Sequence, residues 1–210
     1  MYDIRPNLLI GFHGCDAAVC HELINKPDKV KLNKEPFDWL GHGIYFWENN
    51  YERALQWAKD KHKRGRIKEP AVVGAVLQLG LCCDFLDSKY IKILQDYYAS
   101  MEESYRLSDL PLPKNRDLPN DEHKDRILRE LDCAAIEYMH ARIDQTIQRD
   151  MQTKGFSDYR KFDSTRGVFT EGGPAFSGAG IFEKSHIQVC VRNVNCIKGF
   201  FLPRKEIDFK

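Results

Sequence analysis

Short strand-like runs occupy both ends of the chain, and long runs of helical period fill the middle. "NLLIGFHG" (Asn7–Gly14) is apolar and closes on a polar residue and glycine, which predicts a buried strand leading into a turn. Asp16 stands where it can cap a helix over "AAVCHELI", whose Val19, Leu23 and Ile24 share a face. A polar loop with Pro27 and Pro36 leads to "WLGHGIYFWE", in which "GIYFW" predicts a strand entered from a glycine bend. "NNYERALQWAKDKHK" predicts a helix capped by Asn49 or Asn50, with Tyr51, Leu55 and Ala58 as its stripe. "AVVGAVLQLG" and "CCDFLD" are strand-like.

In the middle, "SKYIKILQDYYASMEESYRL" has helical period, with Tyr90, Ile91, Leu94 and Tyr97 or Tyr98 on one side. "SDLPLPKNRDLPND" carries three prolines and predicts an exposed loop. A second long helix is expected over roughly residues 122–149, its stripe running Ile127, Leu131, Ala134 or Ala135, Tyr138 and Ile143. From Phe162 onward the pattern returns to strand and loop: "RGVF", the glycine-rich "TEGGPAFSGAG", "HIQVCV" and "CIKGFFLP". The expected architecture is α+β in a single domain over residues 1–210. Two groups of strands form the core and flank a central helical insertion at about 88–158.

Composition narrows the classes. A hydrophobic share of 42% and a charged share of 30% are ordinary for a globular protein. A net charge of +1 gives no global basic field for nucleic acid, although "KDKHKRGRIK" (Lys59–Lys68) is a local basic run. Such a run is either a solvated helix end or a guide for a phosphate-rich acceptor such as RNA. No run approaches the length of a membrane span, and "MYDIRPNLLIGF" has no leader pattern, so a cytoplasmic protein is expected. Seven cysteines without tandem ligand spacing read as buried thiols rather than metal ligands, and no metal is expected.

Three stretches suggest one site. "GFHG" puts His13 at a strand end beside Gly14, "GHGIYFW" puts Tyr45 just after Gly41 and Gly43, and "SHIQVCV" opens a late strand where His186 and Gln188 share a face. Each alone also fits an ordinary satisfied side chain. Together they resemble the ADP-ribosyltransferases of the diphtheria-toxin and poly(ADP-ribose) polymerase branch, whose first motif is a strand ending in His-Gly. Their second motif is Gly-x-Gly-(Ile/Phe)-Tyr-(Phe/Leu) before a helix, and their third begins a late strand. The resemblance implies a split-sheet core and NAD+ as substrate.

It further implies that Gly14 lets the backbone approach the nicotinamide amide and that His13 bonds a ribose hydroxyl. Tyr45 would give a flat wall for the nicotinamide, with Gly43 helping to shape the bend. The family's second aromatic falls on Gln56, leaving Trp57 one residue on as a ring clamp or a core residue; a serine common in the relatives falls at Arg53. Where the family places a glutamate, this chain has His186, with Gln188 two residues on. A pocket carboxylate could instead come from Glu171 or Glu183 in the preceding loop, Glu171 as general base. Arg166 could pair with a pyrophosphate, or hold Asp163 or a helix end.

The resemblance thus implies mono-ADP-ribosyl transfer to RNA or protein. Small members of this kind look like toxins of toxin–antitoxin or phage-defence systems, including the mRNA-modifying CmdT type, and such a toxin would have an antitoxin partner. An inactive module that only binds NAD or ADP-ribose is the alternative from another class. An RNA 2′-phosphotransferase, which uses the same fold, is disfavoured because those relatives have histidine at the position of Tyr45.

Overall fold

The computed structural model describes residues 7–119 and 121–204; residues 1–6, part of the stretch read for a leader, lie outside it. In chain order the elements are β1 (Leu9–Asp16), α1 (Ala17–Asn25), β2 (Ile44–Glu48), α2 (Tyr51–Lys63), β3 (Pro70–Leu77) and β4 (Cys82–Asp84). They continue with α3 (Ser88–Leu107), β5 (Asn115–Arg116), β6 (Leu128–Arg129), α4 (Glu130–Lys154), β7 (Ser164–Phe169), β8 (His186–Val191) and β9 (Ile197–Phe201). The architecture is α+β. Seven strands form one sheet in the order β4-β7-β8-β2-β1-β3-β9, antiparallel except between β4 and β7, while β5 and β6 make a separate short pair.

The sheet has a seam. β1 pairs with β3 over eight positions but with β2 over only two, Gly11 with Glu48 and Phe12 with Trp47. Beyond Phe12 the two strands part, and the imidazole of His13 bridges them by donating from Nδ1 to the Tyr45 carbonyl at 2.7 Å. The N-terminal β1 and the C-terminal β8 thus lie on either side of β2, one strand from each end of the chain.

The two faces of the sheet are filled differently. Phe46, Leu77, Val189 and Val191 form a dry cluster on one face. Trp47, Ala54 and Val72, with Phe12 and Trp57 beside them, join α2 to the other. Gly14 explains how close α2 comes, since a Cβ there would lie 2.1 Å from the Ala54 carbonyl oxygen. α3 and α4 pack on the β4 end through Cys83, Tyr90, Ile136, Met139 and Ile143. All seven cysteines are buried thiols. Among the described residues no helix is long and apolar enough to cross a membrane.

Several boundaries follow the sequence pattern closely. Asp16 caps α1 by accepting from the Ala18 amide, Asn50 rather than Asn49 caps α2, and α3 spans the whole predicted run. The helix expected from about 122 starts only at Glu130. Asp121 accepts from the amides of His123 and Asp125, and Lys124 and Arg126 have positive φ, so this stretch turns before it can wind. The stripes also move. On α2 the buried residues are Arg53, Ala54 and Ala58 rather than Tyr51 and Leu55. On α4 the buried residues include Ile136, Met139 and Ile143, while Tyr138 is only half-buried.

Candidate functional site

β2, β8, the loop before β8 and α2 bring one group of side chains together on the α2 face of the sheet. Pairing sets Trp47 opposite Gln188 and Tyr45 opposite Cys190, so two-residue alternation puts Tyr45, Trp47, His186 and Gln188 on the same side. The rings form a continuous row. Trp57 lies 5.9 Å from Trp47, Trp47 lies 6.2 Å from His186, and His186 stacks on Phe169 at 5.7 Å. Trp39 packs edge-on against Phe169 at 5.1 Å and donates its indole N–H to Gln188 Oε1 at 2.6 Å.

The imidazole of His186 is oriented by the chain itself. Its Nδ1 lies 2.6 Å from the Lys184 carbonyl, which can only accept, so the proton sits on Nδ1 and Nε2 keeps its lone pair. Burial pushes its pKa down to about 4, helped by the nearby Arg53 cation and opposed by the Lys184 carbonyl. The ring is therefore neutral at pH 7. His13 is lowered in the same direction, mainly by burial, and its Nδ1 proton goes to the Tyr45 carbonyl.

Above this row lies a buried ion pair. Arg53 Nη2 donates to a carboxylate oxygen of Glu171, both side chains being about nine-tenths buried. The guanidinium carbon is 5.9 Å from the Trp47 ring centre. Glu171 thus faces inward under α2, where the sequence suggested an acid carried by mobile glycines. Glu183, in the same loop, is exposed, and its amide donates to the Gly173 carbonyl.

The tyrosine of the glycine bend is held rather than open. Tyr45 Oη donates to the Gly41 carbonyl at 2.8 Å and accepts from the Leu40 amide at 2.9 Å; burial, the largest influence, keeps this phenol protonated. Gly41 has φ +82°, a conformation that favours glycine. A Cβ on Gly43 would strike the Cys190 sulfur at 2.5 Å, so that glycine serves packing on β8. From the other side, Glu137 of α4 accepts from the His42 amide at 2.8 Å and pairs with both Arg192 and the His42 ring. Burial would raise its carboxyl, but Arg192 and the His42 amide outweigh it, so Glu137 lies below its usual range. The central helix thereby anchors the Gly-His-Gly turn.

Arg166 stands apart. It is in register with Val189, on the face opposite Gln188, and bonds Glu48 at 2.6 Å and Asp84 at 3.1 Å. Asp163 takes other donors, the Leu81 amide and the Asn193 side chain. Trp57 is half-buried, with Lys61 Nζ at 5.4 Å and Arg64 at 5.5 Å from its ring centre. A cavity of about 410 Å³ opens elsewhere, beyond the Gly-His-Gly turn, lined by His42, Glu137, His140, Asp144 and Arg192 among others.

Of the residues picked from sequence, Gly14, Tyr45, Trp57, Glu171, His186 and Gln188 share one face, His13 sits in the seam beside them, Gly43 lies under β8, and Arg166 is set apart. Arg53, Trp47, Trp39 and Glu137 were missed. The signal for Arg53 was its place beside Ala54 and one turn before Trp57, a cation on the small-residue side of a helix. Among the described residues, no cluster of three or more His, Cys, Asp or Glu is placed to hold a metal ion. Comparison with protein-family models, with curated proteins and with solved structures gave no match.

Proposed function

We propose that the chain is a mono-ADP-ribosyltransferase that moves ADP-ribose from NAD+ to a macromolecular acceptor. The observation that carries this reading is the gathering of Gly14, Tyr45, His186 and Gln188 on one sheet face, from strands at both ends of the chain. In the reaction the bond between ribose C1 and the nicotinamide nitrogen breaks and its electron pair leaves with nicotinamide. An acceptor oxygen or nitrogen then bonds C1 and gives up its proton. The aromatic row suits a flat pyridine ring. His186 Nε2, neutral and unprotonated, suits a ribose hydroxyl or the acceptor's proton. Glu171 is the nearer carboxylate, and it must leave Arg53 to serve as base. The third motif lacks the full negative charge of a glutamate, which favours single transfer over chain growth.

An RNA acceptor is supported by charge segregation. Lys59–Lys68 holds six lysines and arginines against one aspartate, a local charge of +5 on a chain of +1, leaving −4 on the rest. This surface adjoins Trp57 through Lys61 and Arg64. We read the protein as a toxin or phage-defence effector acting in the cytoplasm, restrained by an antitoxin partner; a protein acceptor is the competing target. The engagement of Glu171 by Arg53 favours one second reading, an inactive module that binds NAD or ADP-ribose.

Incubation with NAD+ labelled in its adenylate half, followed by mass spectrometry of RNA and protein fractions, tests the proposal. Label on RNA or protein with release of nicotinamide is expected, and His186→Ala should abolish both. Binding of NAD+ without nicotinamide release would reject the transferase and leave the binding module.

A further inference from the structure

Among the described residues, four buried side-chain polar atoms have no hydrogen-bond partner, and three of them lie together: Arg53 Nε, Arg53 Nη1 and Trp47 Nε1. Folding does not strand a charged donor cheaply. A buried guanidinium holds its place when all its edges are met, and Glu171 meets only one nitrogen, Nη2. The remaining donors sit on different edges of the guanidinium and on a neighbouring indole, so one planar carboxylate cannot reach them all. A phosphoryl group brings more oxygens than a carboxylate, enough to meet one full edge of the guanidinium with two of them and to turn another toward a neighbouring donor.

We propose that Arg53 and the indole N–H of Trp47 form a phosphoryl-binding site, in which the Glu171 carboxylate now stands where the phosphoryl oxygens would go. The segment carrying Glu171 is built to withdraw. Gly172 and Gly173 follow it at φ +85° and +73°, and Gly178 has φ +80°. Its backbone bonds are mostly internal: the Lys184 amide to the Glu171 carbonyl at 3.0 Å, the Glu183 amide to the Gly173 carbonyl at 2.9 Å and the Ala175 amide to the Ile181 carbonyl at 2.8 Å close the loop on itself, while the Gly172 amide to Asp125 at 2.8 Å reaches outside it. At its tip Phe176 and Ile181 are each 66% exposed and contribute little to holding it down. When the loop lifts, Glu171 passes to solvent, one anion replaces another on Arg53, and the stranded donors gain acceptors. The phosphoryl group has two sources, the diphosphate of NAD+ or the backbone of a nucleic-acid acceptor. The site rests on the transferase reading only for that choice of nucleotides.

Calorimetric titration of the full chain with inorganic pyrophosphate, NAD+ and a single-stranded RNA twelve-mer tests it, with nicotinamide riboside, which has no phosphate, as control. Glu171→Gln removes the competing charge and should tighten at least one of the three phosphate ligands about tenfold or more. Arg53→Gln should weaken the same ligand at least tenfold, Arg53→Lys should fall between, and the riboside should not respond to either change. A response to NAD+ and pyrophosphate assigns the diphosphate, and a response to RNA alone assigns the acceptor backbone. Circular dichroism checks folding; if Arg53→Gln unfolds, the Glu171→Gln titration decides. No tightening of any phosphate ligand in Glu171→Gln overturns the site. Pyrophosphate binding without NAD+ cleavage would instead reject the transferase and leave the site standing.

Discussion

Removing a single oxygen, in Tyr45→Phe, separates the two roles this residue could hold. Its hydroxyl accepts from the amide of Leu40, a fully buried residue, and donates to the Gly41 carbonyl. Without it the Leu40 N–H loses its acceptor inside the protein, a cost of about 1–3 kcal/mol. The Gly41 carbonyl fares better, because the Cys190 thiol also donates to it at 3.3 Å. The ring volume stays, so no cavity adds to the loss. A net destabilisation of about 2 kcal/mol follows, roughly 4–8 °C in Tm for a domain of this size. Urea unfolding should show it as a lower midpoint with an unchanged slope. Because the aromatic face is kept, affinity for NAD+ should stay within about twofold. Tyr45→Ala should lose that face as well, weakening NAD+ by about 0.5–1.5 kcal/mol. Wild-type stability in Tyr45→Phe would show that the hydroxyl does not hold the bend. Equal loss of NAD+ affinity in both variants would show that stacking is not what Tyr45 contributes.

Acid should weaken the fold early. His140 and His186 are both pushed down to about 4, chiefly by burial, so below about pH 6.5 the unfolded chain takes up protons first. Stability should fall from pH 6.5 towards 4 by up to roughly 1.4 kcal/mol per pH unit for each ring, and His140→Gln should flatten part of that slope. A flat Tm over this range would contradict the burial of both rings. Arg166→Ala leaves Glu48 and Asp84 without their shared cation and should cost about 3–5 kcal/mol in urea unfolding; a loss below about 1 kcal/mol would deny the network its structural role. Glu137→Gln should loosen the Gly-His-Gly turn, seen as faster hydrogen exchange at the His42 amide with a loss of roughly 2 kcal/mol. Unchanged exchange there would mean that α4 does not anchor the turn.

Local chemistry fixed much of this protein in advance. Asp16 was legible as a cap, and the cap of α2 was narrowed to Asn49 or Asn50, because a short side-chain oxygen meets an amide of the first helical turn; the structure selects Asn50. The alternation in "HIQVCV" had to put His186 with Gln188, since strand geometry repeats every two residues. The α+β pattern followed from strand-like runs enclosing helical ones. Distances across the fold were not legible in that way. That Glu171 turns inward to Arg53, that Arg166 meets Glu48 and Asp84 on the far face, and that Glu137 grips a turn 95 residues away all depend on how strands from the two ends pair. The delayed start of α4 was hidden because side-chain caps at Asp121 compete with a helix the periodicity alone would favour. Periodicity records which side of an element is apolar; which charged group another element brings to that side is settled only when the sheet closes.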